Sequence, residues 1–232
     1  MASQDDLETQ VNKIIEPYAT QLGRLLHDWN SLHLALTYLY LAICGAIDDP
    51  EDHSRTMMLA IWNAVPNDRM QRNMLREVAK ERFSRHKRTM DKIGIQIDPI
   101  VENEGKTLDE ILWILESSDT LGRKRDDSAH APVILRQDET LRLVPEESLD
   151  NPLARRFADK NLIEEFELQR TRIRVLSKHT FALYFHINGA GGHQALPQRP
   201  KWPTSPHPSE RKAGRARSRG RQRARQHQSS RG

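Results

Sequence analysis

The chain has 232 residues, 37% of them hydrophobic, with one cysteine and a formal net charge of +4. That length holds one or two domains, and a mean hydropathy of −0.74 describes one modest core plus a polar excess. A single cysteine, Cys44, excludes an intrachain disulfide and fits a reducing cytoplasm, and the acidic start MASQDDLETQ lacks the basic and apolar parts of a signal peptide.

The polar excess is localised. From Gly189 to Gly232 eleven Lys/Arg stand against one acid, Glu210, a net of +10, while the other 188 residues carry 25 basic and 31 acidic groups, a net of −6. The pI near 9.3 therefore describes a tail. With Pro197, Pro200, Pro203, Pro206 and Pro208 followed by Arg alternating with small residues, the stretch has too little apolar surface to offset its ordering entropy. The expected organisation is a helical bundle domain over 1–188 and a disordered Pro/Arg-rich tail over 189–232, in which Trp202 is a solitary aromatic without a partner.

In chain order, Glu16-Pro17 is expected to break or start a helix. From Leu22, the residues Leu25, Trp29, Leu32, Leu36, Leu39, Ile43 and Ala46 recur at steps of three and four, the seam of a long central helix. Ala35, Tyr38, Leu41 and Ala42 add a second apolar face, so the later half calls for several packing partners, with Cys44 as a small apolar filler. The run Leu32–Ile47 is shorter than the ~17–25 residues of a membrane span. No membrane partner is expected.

A second apolar block, Met57–Val65, ends at Pro66, and Asn67 or Asp68 can cap a third helix. That helix has Met70, Met74, Leu75, Val78 and Phe83 on one side and Arg69, Arg72, Arg76, Lys80 and Arg82 on the other. Glu77 and Glu81 interleave with the basic residues, which favours a solvated, paired face over a nucleic-acid surface. Next, IGIQID alternates like a strand while Asp98-Pro99 resembles a helix start, leaving a loop with a helical turn. Thr107 with Glu110 makes a capping-box opening for a fourth helix running to about Ala129. VIL and LRLV, at 133–144, offer a small hairpin or an extended crossover. A last helix is expected from about Leu153 or Asp159 to His186, closed by Gly189, Gly191 and Gly192. The fold class is all-α, a helical bundle around a long central helix.

No Gly-rich phosphate loop, zinc-ligand spacing or nucleophile elbow occurs, so neither a cofactor nor a metal is expected. The His27, Asp28 and His33 group has the wrong spacing for a metal pair on one face and reads as surface or bundle-polar. What stands out is the end of the fourth helix, LGRKRDDSAHAP. There Arg125, Asp126 and His130 project from one broad side of the last turns, five residues advancing about 140° beyond a full turn. A guanidinium can hold a phosphate bidentately, and an imidazole can move a proton at a sugar hydroxyl.

In a helical bundle, Arg125-Asp126-Asp127-Ser128-Ala129-His130 resembles the motif of the HEPN superfamily: Arg, four to six residues, then His, with a polar residue after the Arg. The resemblance implies a compact all-α bundle, often a homodimer, whose paired motifs cleave RNA without a metal, frequently in toxin–antitoxin or defence systems. Other members are inactive binding domains. Asp follows the Arg here, where Asn is the commoner choice. Arg174 and His179 repeat the spacing in RVLSKH and serve as a control. Two function classes follow. In the first, a metal-independent endoribonuclease held by an antitoxin, Arg125 stabilises phosphate charge, His130 acts as acid or base and Asp126 orients one of them. The second is a non-enzymatic helical interaction protein whose basic tail binds nucleic acid or an acidic partner.

Overall fold

The computed structural model describes residues 4–45, 53–93, 99–130, 133–137, 141–145, 161–189 and 195–204. Among these are five helices and one hairpin: α1 (Gln4–Ile43), α2 (His53–Ala64), α3 (Asp68–Ile93), α4 (Pro99–His130), β1 (Val133–Gln137), β2 (Leu141–Pro145) and α5 (Leu162–Asn188). The protein is all-α, a bundle around α1.

The seam read from the period is the core. Leu25, Leu32, Leu36, Leu39 and Ile43 of α1 are almost wholly buried, as are Leu75 of α3, Ile111, Ile114 and Leu115 of α4, and Phe166, Ile173, Leu176 and Leu183 of α5. Each such side chain contributes about 1.5–3 kcal/mol through removal from water. Cys44 lies half-buried against this core, and burial raises its thiol pKa. No helix among the described residues is long and apolar enough to cross a membrane.

Side-chain partners fix the directions. Tyr18 meets Phe166, Asp28 meets Arg170 and Arg174, and Tyr38 meets Phe181 and Tyr184, so α1 and α5 run parallel. Arg125 reaches Asp68 while Arg76 reaches Asp119, so α3 and α4 are antiparallel. Gln169 bonds Ser128 while His179 bonds Glu110, so α4 and α5 are antiparallel as well. These pairings place the middle of α4 between α3 and α5.

Local expectations fared unevenly. Pro17 neither breaks nor starts a helix: α1 continues through it. An interior proline removes one backbone hydrogen bond at a cost of about 3 kcal/mol, and the packing of Tyr18 on Phe166 and Leu162 one residue later offsets that loss. Asn67 caps α3, its Oδ1 accepting from the Met70 N–H at 2.9 Å. The Thr107–Glu110 capping box does not form, because α4 already begins at Pro99, whose fixed φ suits the first helical position. Both residues are instead buried inside the helix.

The VIL and LRLV runs pair as an antiparallel hairpin, Val133 opposite Pro145 and Leu135 opposite Leu143. Helix α5 starts at Leu162, where Asn161 Oδ1 accepts from the Ile163 and Glu164 N–H groups; Leu153 and Asp159 lie outside the described residues. Gly189, at φ 64°, closes it in the left-handed conformation that glycine adopts without strain. Ala46, the strand-like stretch after Ile93, Gly191 and Gly192, and the tail beyond Thr204 lie outside the described residues.

The strap over 195–202 belongs to the body, so the first compact unit extends to Trp202 rather than to residue 188. Trp202 has partners: it packs against the core and lies 5.8 Å from the Trp113 ring. Arg199 is the anchor, its Nε donating to the buried Glu110 carboxylate at 2.8 Å while the guanidinium sits over Trp113. The Arg/Pro composition of this stretch resembles that of the tail, but one buried carboxylate on α4 gives it a fixed position.

Candidate functional site

The motif residues sit in the last turns of α4, and Trp29 of α1 organises their surroundings. Gly122, one turn before Arg125, lets α4 approach that indole: a Cβ there would lie 3.0 Å from Trp29 Cη2. Arg125 then lays its guanidinium 4.3 Å over the Trp29 ring, and Arg72 of α3 lies 5.6 Å from the same ring. Such cation–π contacts are worth about 0.5–2 kcal/mol, more as water is excluded.

Asp68, the first residue of α3, ties this group together. Its Oδ2 accepts from Trp29 Nε1 at 3.1 Å and lies 3.5 Å from both Arg72 Nη1 and Arg125 Nη1. Burial pushes the Asp68 carboxyl up, but the two guanidinium groups, the indole N–H and His33 outweigh it and hold the pKa below the usual value. Asp119 of α4 accepts from Arg72 Nε at 2.7 Å and Arg76 Nη2 at 2.8 Å. The basic face of α3 is thus largely spent inside the molecule. Lys80 pairs with Glu77 as the interleaving suggested, and Arg82 donates to the Ile43 carbonyl at 2.6 Å, but Arg72 and Arg76 cross to another helix.

Arg125 also donates through Nε to Asp126 Oδ1 at 2.9 Å, and its side chain is only 17% exposed. Arg125 and Asp126 are therefore together. His130 is exposed at the final position of α4, and no hydrogen bond or ion pair joins it to either residue among those described. The expected convergence on one broad side is not what the helix delivers. An advance of about 140° is more than a third of a circle, so Arg125 faces Trp29 while the terminal histidine faces solvent.

His33, read from the sequence only as a surface or bundle-polar residue, is the imidazole that lies beside this cluster. One turn after Trp29 on α1, it is half-buried with its ring 5.8 Å from Trp62. Burial lowers its pKa, Asp68 pulls the other way, and Arg72 and Arg125 lower it further. The signal was available as a step of four from Trp29, but its meaning depends on an aspartate 35 positions away.

A histidine depressed in the folded state contributes stability that is fully present above its unfolded pKa of about 6.5 and is lost as pH falls through the folded value. The stability difference between wild type and His33→Gln should therefore shrink between pH 7.5 and pH 5. Urea midpoints at both pH values measure it; parallel losses in the two proteins would assign the acid sensitivity to other groups.

The control pair is structural. Arg174 Nε donates to Asp28 at 2.9 Å, and the buried His179 shares a 2.6 Å hydrogen bond with Glu110. Asp28 is bundle-polar as expected, 8% exposed between Arg170 and Arg174. No group of three or more His, Cys, Asp or Glu side chains that could hold a metal occurs among the described residues. Comparison with protein-family models, with curated proteins and with solved structures finds no match for this chain.

Proposed function

We propose that this chain is a HEPN-like helical protein that binds RNA without cleaving it, the stretch beyond Thr204 supplying the cationic contacts. The observation that carries the non-cleaving reading is the commitment of Arg125. Its guanidinium is stacked on Trp29 and faces two carboxylates, Asp68 and Asp126, so a phosphate would have to displace an aspartate to be held bidentately. RNA binding is supported by the charge asymmetry between a basic tail and an acidic body. The lone half-buried Cys44 is in keeping with a reducing cytoplasm.

A metal-independent endoribonuclease of a toxin–antitoxin or defence system is the second reading, favoured by the exposure of His130 at a helix end. There a second copy in a homodimer could bring its own motif alongside, and an antitoxin could cover both. The two readings separate in one assay, RNA cleavage in EDTA by wild type, Arg125→Ala and His130→Ala. The expected result is no cleavage above background in any of the three. Activity in the wild type that falls by about a hundredfold or more in either variant would establish the nuclease, that being the scale of losing one acid–base or charge-stabilising group.

A further inference from the structure

The strap over 195–202 sits on the body as a ligand sits in a receptor. Its contacts repeat every three residues: Leu196 and Trp202 pack against the core and Arg199 reaches Glu110, while Gln198 and Lys201 are exposed. Pro197, Pro200 and Pro203 keep the same step. Three residues per turn is the period of a polyproline II helix, in which such residues share an edge, and proline presets the backbone for it. One edge of the strap therefore reads the body, in the order apolar residue, arginine, tryptophan.

The groove beneath it is built by the helices alone. Glu110 of α4 is 6% exposed; its Oε1 is hydrogen-bonded to His179 Nε2 of α5 at 2.6 Å, and its Oε2 accepts from Arg199 Nε at 2.8 Å. Arg199 Nη2 also donates to the Asp109 carbonyl at 3.2 Å, and the guanidinium lies 5.3 Å over the Trp113 ring. Trp113 is braced from α5 by the edge of His179 at 5.4 Å.

The two halves of this contact are unequal. Arg199 is 48% exposed, so on leaving it exchanges one partner for water, and Glu110 keeps its bond to His179. The receptor thus stays satisfied and preorganised without the strap. The strap also fits incompletely: a cavity of about 410 Å³ remains beside Trp202, walled on α4 by Trp113, Ser117 and Thr120. A segment that filled it would bury more surface than the strap does.

We propose that this groove of α4 and α5 is a docking site for a proline-rich segment of a partner protein carrying an apolar residue, an arginine and a tryptophan at steps of three. The strap occupies the groove in cis until such a segment displaces it. Proline-rich segments dock into aromatic-lined grooves at low entropic cost because they are already extended. Arginine is selected over lysine, since one planar guanidinium meets Glu110, the Asp109 carbonyl and the Trp113 face together. A tethered strap competes at an effective concentration in the millimolar range for a short linker, which holds back a segment of roughly 100 µM affinity about tenfold. Neither Arg125 nor the tail beyond Thr204 takes part, so failure here would leave the RNA-binding reading untouched.

The test is fluorescence anisotropy of a labelled peptide, ALPQRPKWPT, titrated with the full chain and with its Arg199→Ala/Trp202→Ala variant. The variant, with its own strap disarmed, should bind the peptide saturably and at least about tenfold more tightly than wild type. Arg199→Ala alone, which removes only a half-exposed side chain, should shift the affinity in the same direction with unchanged circular dichroism. Peptides with lysine in place of the arginine, or alanine in place of the tryptophan, should bind the variant at least about tenfold more weakly; the lysine peptide keeps the charge and so separates recognition from general attraction to an acidic body. Equal binding to wild type and both variants, or indifference to the two peptide changes, would overturn the proposal. So would a wild-type dimer that Arg199→Ala dissociates in sedimentation, because the groove would then be filled by the strap of a second copy.

Discussion

Replacing Asp28 by alanine should destabilise the body by about 3 kcal/mol, the scale of removing one partner from a buried ion pair. The carboxylate is 8% exposed and receives Arg170 and Arg174, one turn apart on α5, at 2.9 Å each. Removing it leaves the Arg170 guanidinium, 11% exposed, bonded to Gln21 Oε1 and without its Asp28 counter-charge. Arg174, 54% exposed, can turn to water, so Arg174→Ala should cost well under 1 kcal/mol. For a body of this size 3 kcal/mol corresponds to a fall of about 6–12 °C in Tm. Calorimetry of Asp28→Ala, Arg174→Ala and the double variant measures it. If Asp28→Ala melted within about 2 °C of wild type, the junction of α1 and α5 would be held by apolar packing alone.

Removing residues 205–232 should abolish polyanion binding and leave the body folded. That stretch carries nine Lys/Arg against Glu210, a net of +8, while residues 1–204 carry 27 basic and 31 acidic groups, a net of −4. The cut belongs after Thr204 because Arg199 and Trp202 are held on the body. The intact chain should bind unstructured RNA without sequence preference at roughly 10⁻⁴–10⁻⁶ M near physiological salt. Each phosphate contact on a single strand adds about −0.7 to the slope of log K against log salt, so six contacts give about −4. Fluorescence anisotropy across a salt series should show the shortened protein at least about a hundredfold weaker, with an unchanged helical signal and Tm. Retention of full affinity and slope would move the binding surface onto the body, whose α3 cations are mostly engaged by Asp68, Asp119, Glu77 and a backbone carbonyl.

The Arg125 motif shows where sequence reading stops. Arg, Asp and His at this spacing are legible as a pattern, and helical geometry places Arg125 and Asp126 together as read. The fate of the guanidinium is set by Trp29 and Asp68, which lie 96 and 57 positions earlier in the chain. His130 and the buried His179 sit in equivalent Arg-x4-His patterns, yet one is exposed and the other is bonded to Glu110.

The sequence by itself determined the class of this protein. Apolar residues at steps of three and four dictate which face of each helix is buried, and Asn67 and Gly189 mark helix ends through their own local chemistry. These are effects of neighbours within about four residues, for which backbone sterics and hydrogen bonding suffice. Only the tertiary structure decided where the polar side chains are spent. Glu110 could cap a helix or hold a strap, and it holds Arg199; Pro17 could end α1, and Tyr18 packing carries the helix through it; Trp202 had no partner in its own stretch and found Trp113. Each outcome turns on a partner tens of residues away, brought within reach only when the helices dock. A low dielectric and the high penalty for an unpaired buried charge then select the pairing, and neither exists until the core has formed.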